Sequence, residues 1–137
     1  MALRIEAKVL IAGAECSGPV FVLDEPISFW GGVDPSGGTI IDQRHPQCGR
    51  SVGGTILCLP GTIGSSSASS VLLELVRAGM APAAIILDHP DAILLLGLVV
   101  AEQLGWAHPP ALQLPKSEFG KLQLATVKIS TPGIITG

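Results

Sequence analysis

The residues with the greatest potential for chemistry lie at 61–70, where the sequence reads Gly-Thr-Ile-Gly-Ser-Ser-Ser-Ala-Ser-Ser. This segment follows an apolar run at 55–59 and precedes a helical pattern, so it is predicted to join a strand to the start of a helix. Such a start presents unpaired backbone N–H groups and the positive end of the helix dipole. Together these attract an anion or stabilise a negatively charged oxygen, which makes a serine here a candidate for anion binding or catalysis.

Two structural interpretations of the serine segment stay open beside the chemical one. Serines before a helix are commonly N-caps, and a short serine run is also typical of a flexible loop. The segment is not a nucleotide-binding P-loop, because the lysine of that motif is missing. It also lacks the Gly-x-Ser-x-Gly pattern of the esterases. The local motif alone therefore does not decide among a cap, a loop and a catalytic serine.

Composition predicts a single compact domain and excludes several classes of partner. The chain has 137 residues, of which 47% are hydrophobic and 14% charged. Its net charge is −3 with scattered basic residues, so neither nucleic acid nor an anionic membrane surface is an expected partner. The apolar stretch at 92–101 is roughly half of what spans a bilayer. The N-terminus becomes charged too soon for a signal peptide, so a cytoplasmic location is expected.

Potential metal ligands are few and share no recognisable spacing. The chain has three cysteines and three histidines: Cys16, Cys48, Cys58, His45, His89 and His108. The cysteines are odd in number and form no Cys-x-x-Cys pair, so we predict neither a disulfide framework nor a metal or cluster site in this chain. Each histidine adjoins a proline, which favours a surface turn. No metal ligand is therefore predicted.

The elements that position the serine segment form an α/β pattern. Strands are predicted at 4–9, 19–23, 40–42, 53–59, 83–87, 111–114 and 125–129, with helices after the serine run and from the N-cap Asp91 to about Leu104, and a loop or single helical turn at 116–122. Strands and helices alternate in the second half, as in parallel α/β units. We expect one domain at 1–130 and a flexible tail at 131–137.

Residues 27–39 form a long Gly/Pro-rich segment that contains the aromatic pair Phe29 and Trp30. Loops of this length inside a compact domain are uncommon unless they are functional or pack as an ordered surface loop. Both interpretations stay open: an ordered structural loop, or a contact with a substrate or another subunit.

Several separated motifs then occur in an order that resembles one family. The motifs are Pro-Ile-Ser-Phe-Trp-Gly-Gly-Val-Asp-Pro at 26–35, Gly-Thr-Ile-Ile-Asp at 38–42, His-Pro at 45–46, Gly-Arg-Ser-Val-Gly-Gly at 49–54, Leu-Pro at 59–60, Gly-Ser-Ser at 64–66 and Gly-Met-Ala-Pro-Ala-Ala at 79–84. Over nearly its whole length the chain resembles the small subunit, or swivel domain, of the aconitase X family. The resemblance implies a swivelling β/β/α domain.

The resemblance also implies a function. Family members are hydro-lyases built from this small part and a larger part, and the larger part carries the cysteines that hold an iron-sulfur cluster. This chain would then be one half of an active site, inactive without the large subunit. Activities in the family are dehydration of cis-3-hydroxy-L-proline in bacteria and of a phosphorylated mevalonate in archaea.

Site residues follow from the resemblance position by position. Ser65 matches the proton-abstracting base of the family, and Gly64 and Ser66 complete its motif. Weaker candidates for substrate or interface contacts are Gly31, Gly32 and Arg50. The arginine that follows this loop in aconitase is replaced by Ser67-Ala68, which argues against a tricarboxylate substrate.

Many relatives have a basic residue just before the Gly-Ser pair, whereas this chain has Ile63 at that position. The sequence therefore favours cis-3-hydroxy-L-proline as the substrate. Two alternatives remain: the small subunit of a phosphomevalonate dehydratase, and a non-catalytic regulatory or structural swivel subunit.

Overall fold

The computed structural model describes residues 3–122 and 126–137. Its elements are β1 (Arg4–Glu6), β2 (Lys8–Ile11), β3 (Cys16–Val22), the short helical turn α1 (Phe29–Gly32), β4 (Ile56–Leu59), α2 (Ala68–Ala78), β5 (Ala84–Leu87), α3 (Ala92–Gln103), β6 (Ala111–Gln113), the 3₁₀ helix η1 (Lys116–Leu122), β7 (Thr126–Ser130) and β8 (Ile134–Thr136). Within this described part, no helix is long and apolar enough to cross a bilayer.

The strands form one mixed sheet in the order β1-β8-β7-β3-β4-β5-β6-β2. Strands β3 to β6 run parallel to one another, whereas the remaining pairs are antiparallel. Strands β1 and β2 lie at opposite ends of this order, yet only Ala7 separates them in the chain. The N–H of Ala7 donates to the carbonyl of Gly133 at 2.9 Å. The two edges therefore meet, and the sheet curls into a barrel-like shape.

Side-chain alternation along the parallel strands builds two cores. In β4, Ile56 and Cys58 face the interior of the curled sheet, whereas Leu57 and Leu59 face the helices. Successive side chains of a strand point to opposite faces, and here both faces are buried. This explains why the segment is apolar without alternation. The arrangement confirms the predicted α/β fold of a single compact domain.

Helices α2 and α3 pack against each other on the outer face of the parallel strands. Gly79 ends α2 with φ of 73°, and its N–H bonds to the carbonyls of Leu75 and Val76, as the predicted C-cap requires. Asp91 caps α3 by accepting from the N–H groups of Ile93 and Leu94, both at 3.1 Å. Both predicted caps are confirmed.

The structure differs from the sequence predictions at several strands, among them 19–23, which is observed at Cys16–Val22, and 53–59, which is observed at Ile56–Leu59. The predicted strand at 4–9 is divided at Ala7, because the chain leaves one edge of the sheet there and joins the other. The segment at 40–42 makes only isolated bridges, through Ile40 to Val33 and through its neighbour Thr39 to Ser51. The predicted last strand begins at Thr126, while residue 125 lies outside the described residues.

The structure also differs from the flexible tail predicted at 131–137. Pro132 and Gly133 turn the chain back, with φ of 108° at Gly133. Strand β8 then pairs with both β1 and β7. Ile135 is fully buried. The burial of Ile135 and the backbone pairing on both sides of β8 hold this segment in place. Its small and polar residues had suggested a flexible tail.

Candidate functional site

Three loops meet at Thr62, at the carboxyl ends of the parallel strands. Thr62 pairs with Ile27 in a parallel bridge, and the N–H of Ile63 donates to the carbonyl of Ile27 at 3.0 Å. The Thr62 hydroxyl donates to Asp91 Oδ2 at 2.7 Å. The segments after β3, β4 and β5 are therefore joined at the edge of an α/β sheet where ligands usually bind.

Ser65 is half-buried in the loop between β4 and α2. Its Oγ accepts a hydrogen bond from the N–H of Ser67 at 3.2 Å, and its carbonyl accepts one from the N–H of Ala68 at 3.1 Å. The N-cap position of α2 belongs to Ser67, whose side chain makes no capping bond. The Ser65 hydroxyl therefore lies ahead of the helix and does not serve as its N-cap.

This environment favours a negative charge at or near Ser65. An N–H donated to Oγ stabilises the alkoxide over the neutral hydroxyl, and the helix dipole acts in the same direction. In the described ranges, the backbone N–H groups of Ser66 and Ser69 have no protein acceptor. These donors are available to an anionic group, such as a carboxylate, placed at the start of α2.

The neighbours of Ser65 in the motif are open to solvent. Gly64 and Ser66 are both exposed, and a Cβ at Gly64 would meet nothing within 4 Å. The Gly31 turn is also exposed, with φ of 79° and open space around its Cα. It belongs to α1, which packs against α2. The structure therefore places Gly31, Gly64, Ser65 and Ser66 on surfaces that a ligand or partner can reach.

Gly32 and Arg50 have structural contacts of their own. Gly32 is buried, and its carbonyl accepts from the N–H of Ile41 at 2.8 Å and that of Asp42 at 3.3 Å. The Arg50 guanidinium lies over the Phe21 ring, 4.1 Å from its centroid. Over residues 3–122 and 126–137, the structure shows no hydrogen bond from Arg50 to the serine loop. Neither residue makes a hydrogen bond to Ser65 in the described part of the chain.

His45 is buried, with 5% of its surface exposed, so its predicted surface position is wrong. Its Nε2 lies 3.0 Å from the carbonyl of Glu25, and its Nδ1 accepts from the N–H of Gln47 at 3.1 Å. The ring therefore ties the 42–50 segment to the loop after β3, which a local pattern cannot reveal. His89 is exposed, as predicted, and His108 is half-buried.

The sequence analysis did not predict the contact between Thr62 and Asp91 at the site. Asp91 is correctly predicted as the cap of α3, but its second oxygen also holds Thr62. The available signal was topological: loops that follow adjacent parallel strands emerge side by side. The fold thus links the serine loop directly to the start of α3.

The serine loop lies outside the two main pockets of the described structure. Two pockets of about 200 and 250 Å³ lie near the opposite ends of the parallel strands, one lined by Gly13 and Pro110, the other by Cys16 and His108. Neither of these two is lined by the serine loop.

The cysteines do not form a metal site. Cys48 is exposed, Cys16 is half-buried and Cys58 is buried, where desolvation raises the pKa of its thiol to about 12. In the part of the chain that the structure describes, no three His, Cys, Asp or Glu side chains are grouped so as to hold a metal ion. The described residues therefore offer no grouped set of ligands for an iron-sulfur cluster.

The domain consists of a curled mixed sheet with two helices packed on its parallel strands. Its serine loop presents the candidate site at the surface. The chain matches the family described as the aconitase X swivel domain over residues 4–136, and it belongs to this family. The family predicted from the sequence motifs is therefore confirmed.

The chain is similar to dehydratases of two kinds. It is 50% identical over 100 residues to a cis-3-hydroxy-L-proline dehydratase of Pseudomonas aeruginosa, a match that covers 73% of this chain and 17% of that protein. It is 41% identical over 99 residues to a phosphomevalonate dehydratase small subunit of Methanothermobacter thermautotrophicus, covering 72% of this chain and 75% of that one. The chain thus spans only a small part of the Pseudomonas relative and most of the archaeal small subunit.

A solved structure confirms the fold. The chain superposes on a chain of the crystal structure of Thermococcus kodakaraensis aconitase X (holo-form) with a TM-score of 0.82 and 27% sequence identity. The superposition covers 97% of this chain and 96% of that one. The predicted swivel fold is therefore confirmed over almost the full length.

Proposed function

We propose that this chain is the small subunit of a hydro-lyase that dehydrates a small hydroxy acid, most simply cis-3-hydroxy-L-proline, together with a larger subunit. The observation that carries the proposal is the placement of Ser65. Its hydroxyl lies just ahead of α2 and accepts the Ser67 N–H, and this half-buried residue is flanked by the exposed Gly64 and Ser66. The likeness to two kinds of dehydratase gives this geometry its reaction class.

In this proposal Ser65 acts as the general base of a β-elimination. Its alkoxide removes the proton from the carbon next to the substrate carboxylate, and the electron pair forms a double bond as the hydroxyl group leaves the neighbouring carbon. With cis-3-hydroxy-L-proline the product is an enamine, which rearranges to 1-pyrroline-2-carboxylate. The Ser67 N–H and the helix dipole stabilise the alkoxide, and the N–H groups of Ser66 and Ser69 are placed to hold a carboxylate.

The proposed chemistry requires a partner that covers the loop. A serine is a weak base in water, and its alkoxide is useful only where solvent is excluded and positive charge is near. The loop is open, so this chain alone does not meet that condition. The cysteines here do not fit an iron-sulfur cluster, and we therefore assign any such cluster to the larger subunit.

Charge along the serine loop and α2 favours the amino-acid substrate over a phosphorylated one. Residues 51–76 contain no lysine or arginine, and Arg77 is paired with Glu74 on the exposed side of α2. A phosphate group is usually bound by such cations. In this proposal a carboxylate, with its smaller charge, is held by the backbone N–H groups alone.

Phosphomevalonate is the second candidate substrate. The archaeal relative is itself a separate small subunit, and this chain covers 75% of its length. A phosphate would then have to be bound by cations of the larger subunit.

Gly64, Ser66 and Gly31 remain our proposed substrate contacts, and Gly32 and Arg50 are proposed only as supports of the same surface.

The test is reconstitution. The chain alone, the larger subunit from the same genome alone, and the anaerobic mixture are each assayed with cis-3-hydroxy-L-proline and then with phosphomevalonate. We expect turnover only in the mixture and only with the first substrate. Turnover by the larger subunit alone at the rate of the mixture would instead identify this chain as a non-catalytic regulatory or structural module.

A further inference from the structure

Most of the exposed large hydrophobic side chains of the described residues lie on α3 or on the loops at the carboxyl ends of the parallel strands. Eight of them are at least 36% exposed: Trp30, Ile41, Ile63, Ile93, Leu96, Val100, Leu104 and Trp106. Single exposed hydrophobic residues are normal, whereas a contiguous patch marks an interaction site. The question is therefore whether these eight are neighbours.

Backbone and side-chain contacts connect the members nearest the serine loop. Ile41 donates its N–H to Gly32 at 2.8 Å, in the same turn as Trp30. Ile63 is joined to the segment that leads into this turn by its 3.0 Å hydrogen bond to Ile27. Its neighbour Thr62 is bound to Asp91, two residues before Ile93. The exposed residues thus follow a connected path from the Trp30 turn past the serine loop to α3.

The path continues along one face of α3. Ile93, Leu96, Val100 and Leu104 are spaced by three, four and four residues, which puts them on one side of the helix. We name these four residues the α3 stripe. Residues 92–101 contain no charged side chain. The opposite face is also apolar, with Leu94, Leu95 and Leu98 buried against the core. Helices that are apolar on all sides are normally enclosed by protein.

The size of the stripe indicates what kind of partner encloses it. A stable interface takes about 20–30 residues from each partner, and four side chains are far too few to hold a second copy of this chain by themselves. The stripe is instead suited to be part of a larger interface. In the Pseudomonas relative, the match to this chain covers only 17% of the protein, so a much larger body of protein accompanies the domain there.

We infer that the α3 stripe is a docking surface for the larger subunit of the dehydratase and extends the contact that closes over Ser65. This inference rests on the proposed function, because that function supplies the partner. It adds a prediction that the catalytic role of Ser65 does not make: residues on α3 remote from the serine loop hold the two subunits together. An apolar surface of the partner, low in charge, is the chemistry that would recognise it.

The test is the affinity of the purified chain for the purified larger subunit, measured by calorimetry or interferometry. The double variant Leu96→Glu/Val100→Glu places two charges in the stripe and is expected to weaken binding about 100-fold or more, the scale of two interface hot spots. Lys128→Glu is the matched control, an exposed charge change on β7. It should bind like the wild type. Both variants are checked for the wild-type circular dichroism spectrum and melting temperature.

The outcomes separate the inference from the proposed function. Ser65→Ala should bind the larger subunit normally and lose turnover, whereas the stripe variant should regain turnover when the partner is in large excess. Wild-type affinity of the stripe variant would overturn the inference even if the dehydratase is active. A wild-type chain that dimerises alone, and becomes monomeric with Leu96→Glu/Val100→Glu while the larger subunit still binds, would also overturn it.

Discussion

Gly97 is where α3 comes closest to α2, and this contact yields a prediction about the serine loop. A Cβ at Gly97 would lie 2.5 Å from the carbonyl oxygen of Ser69 and 3.2 Å from the N–H nitrogen of Leu73. Both are backbone atoms, which cannot rotate away. The Gly97→Ala variant must therefore move the helices apart by about 0.9 Å to restore an ordinary contact of 3.4 Å. Ser69 belongs to the first turn of α2, only four residues after Ser65.

Two opposing terms set the effect on stability. Forcing an extra methyl group into a packed contact costs about 1–3 kcal/mol. Alanine is favoured over glycine inside a helix by about 1 kcal/mol. We therefore predict that the Gly97→Ala substitution lowers the free energy of unfolding by about 1 kcal/mol, measured by urea denaturation. Because a displacement near 1 Å at a reacting group can reduce the rate by about 100-fold, we predict a fall in kcat of at least about tenfold.

The matched control is Gly120→Ala in η1, where a Cβ would meet nothing within 4 Å. This variant should keep the wild-type stability or gain a few tenths of a kcal/mol. Turnover is measured with the larger subunit in saturating amounts, so that a change in subunit affinity does not contribute. If Gly97→Ala shows the stability and kcat of the wild type, the helix contact does not position the serine loop.

Four further predictions concern single side chains. Thr62→Val removes the hydroxyl donor to Asp91, so kcat of the assembled enzyme should fall about tenfold, and Thr62→Ser should restore it. The exposed Cys48 should react with a thiol reagent at pH 8, whereas the buried Cys58 should react only after unfolding. Because burial raises the pKa of Cys58 from 9.0 to about 12, the unfolded state loses this proton first, and stability should decline between these pH values by up to about 1.4 kcal/mol per unit. His45→Ala should lower the free energy of unfolding by about 1–3 kcal/mol, because it leaves buried polar groups without partners; an unchanged urea midpoint would contradict the buried position.

Local patterns in the sequence predicted the two long helices and the buried parallel strands because the causes of these elements are local. The helix after the serine run ends at Gly79, which adopts the left-handed conformation that favours glycine. Asp91 caps α3 through its own side chain. The parallel strands β4 and β5 are buried on both faces and are therefore apolar throughout.

The features that the sequence did not reveal depend on residues distant along the chain. The division of the first strand at Ala7 results from the meeting of the two sheet edges. The buried position of His45 results from its bond to Glu25, twenty residues earlier. The link between Thr62 and Asp91 joins two loops across 29 positions. Periodicity and cap signals do not indicate contacts between residues so far apart in the chain. The resemblance to a family identified motif residues but not these contacts.

The central claim is that Ser65 is the base of a dehydratase formed with a larger subunit. The most direct measurement is the kcat of the reconstituted enzyme with cis-3-hydroxy-L-proline for the wild type, Ser65→Ala and the control Ser117→Ala, an exposed serine of η1, each shown to bind the larger subunit. We predict that Ser65→Ala loses roughly 100-fold or more in kcat, the usual scale for a lost general base, whereas Ser117→Ala retains the turnover of the wild type. Turnover of Ser65→Ala within about tenfold of the wild type would contradict the claim.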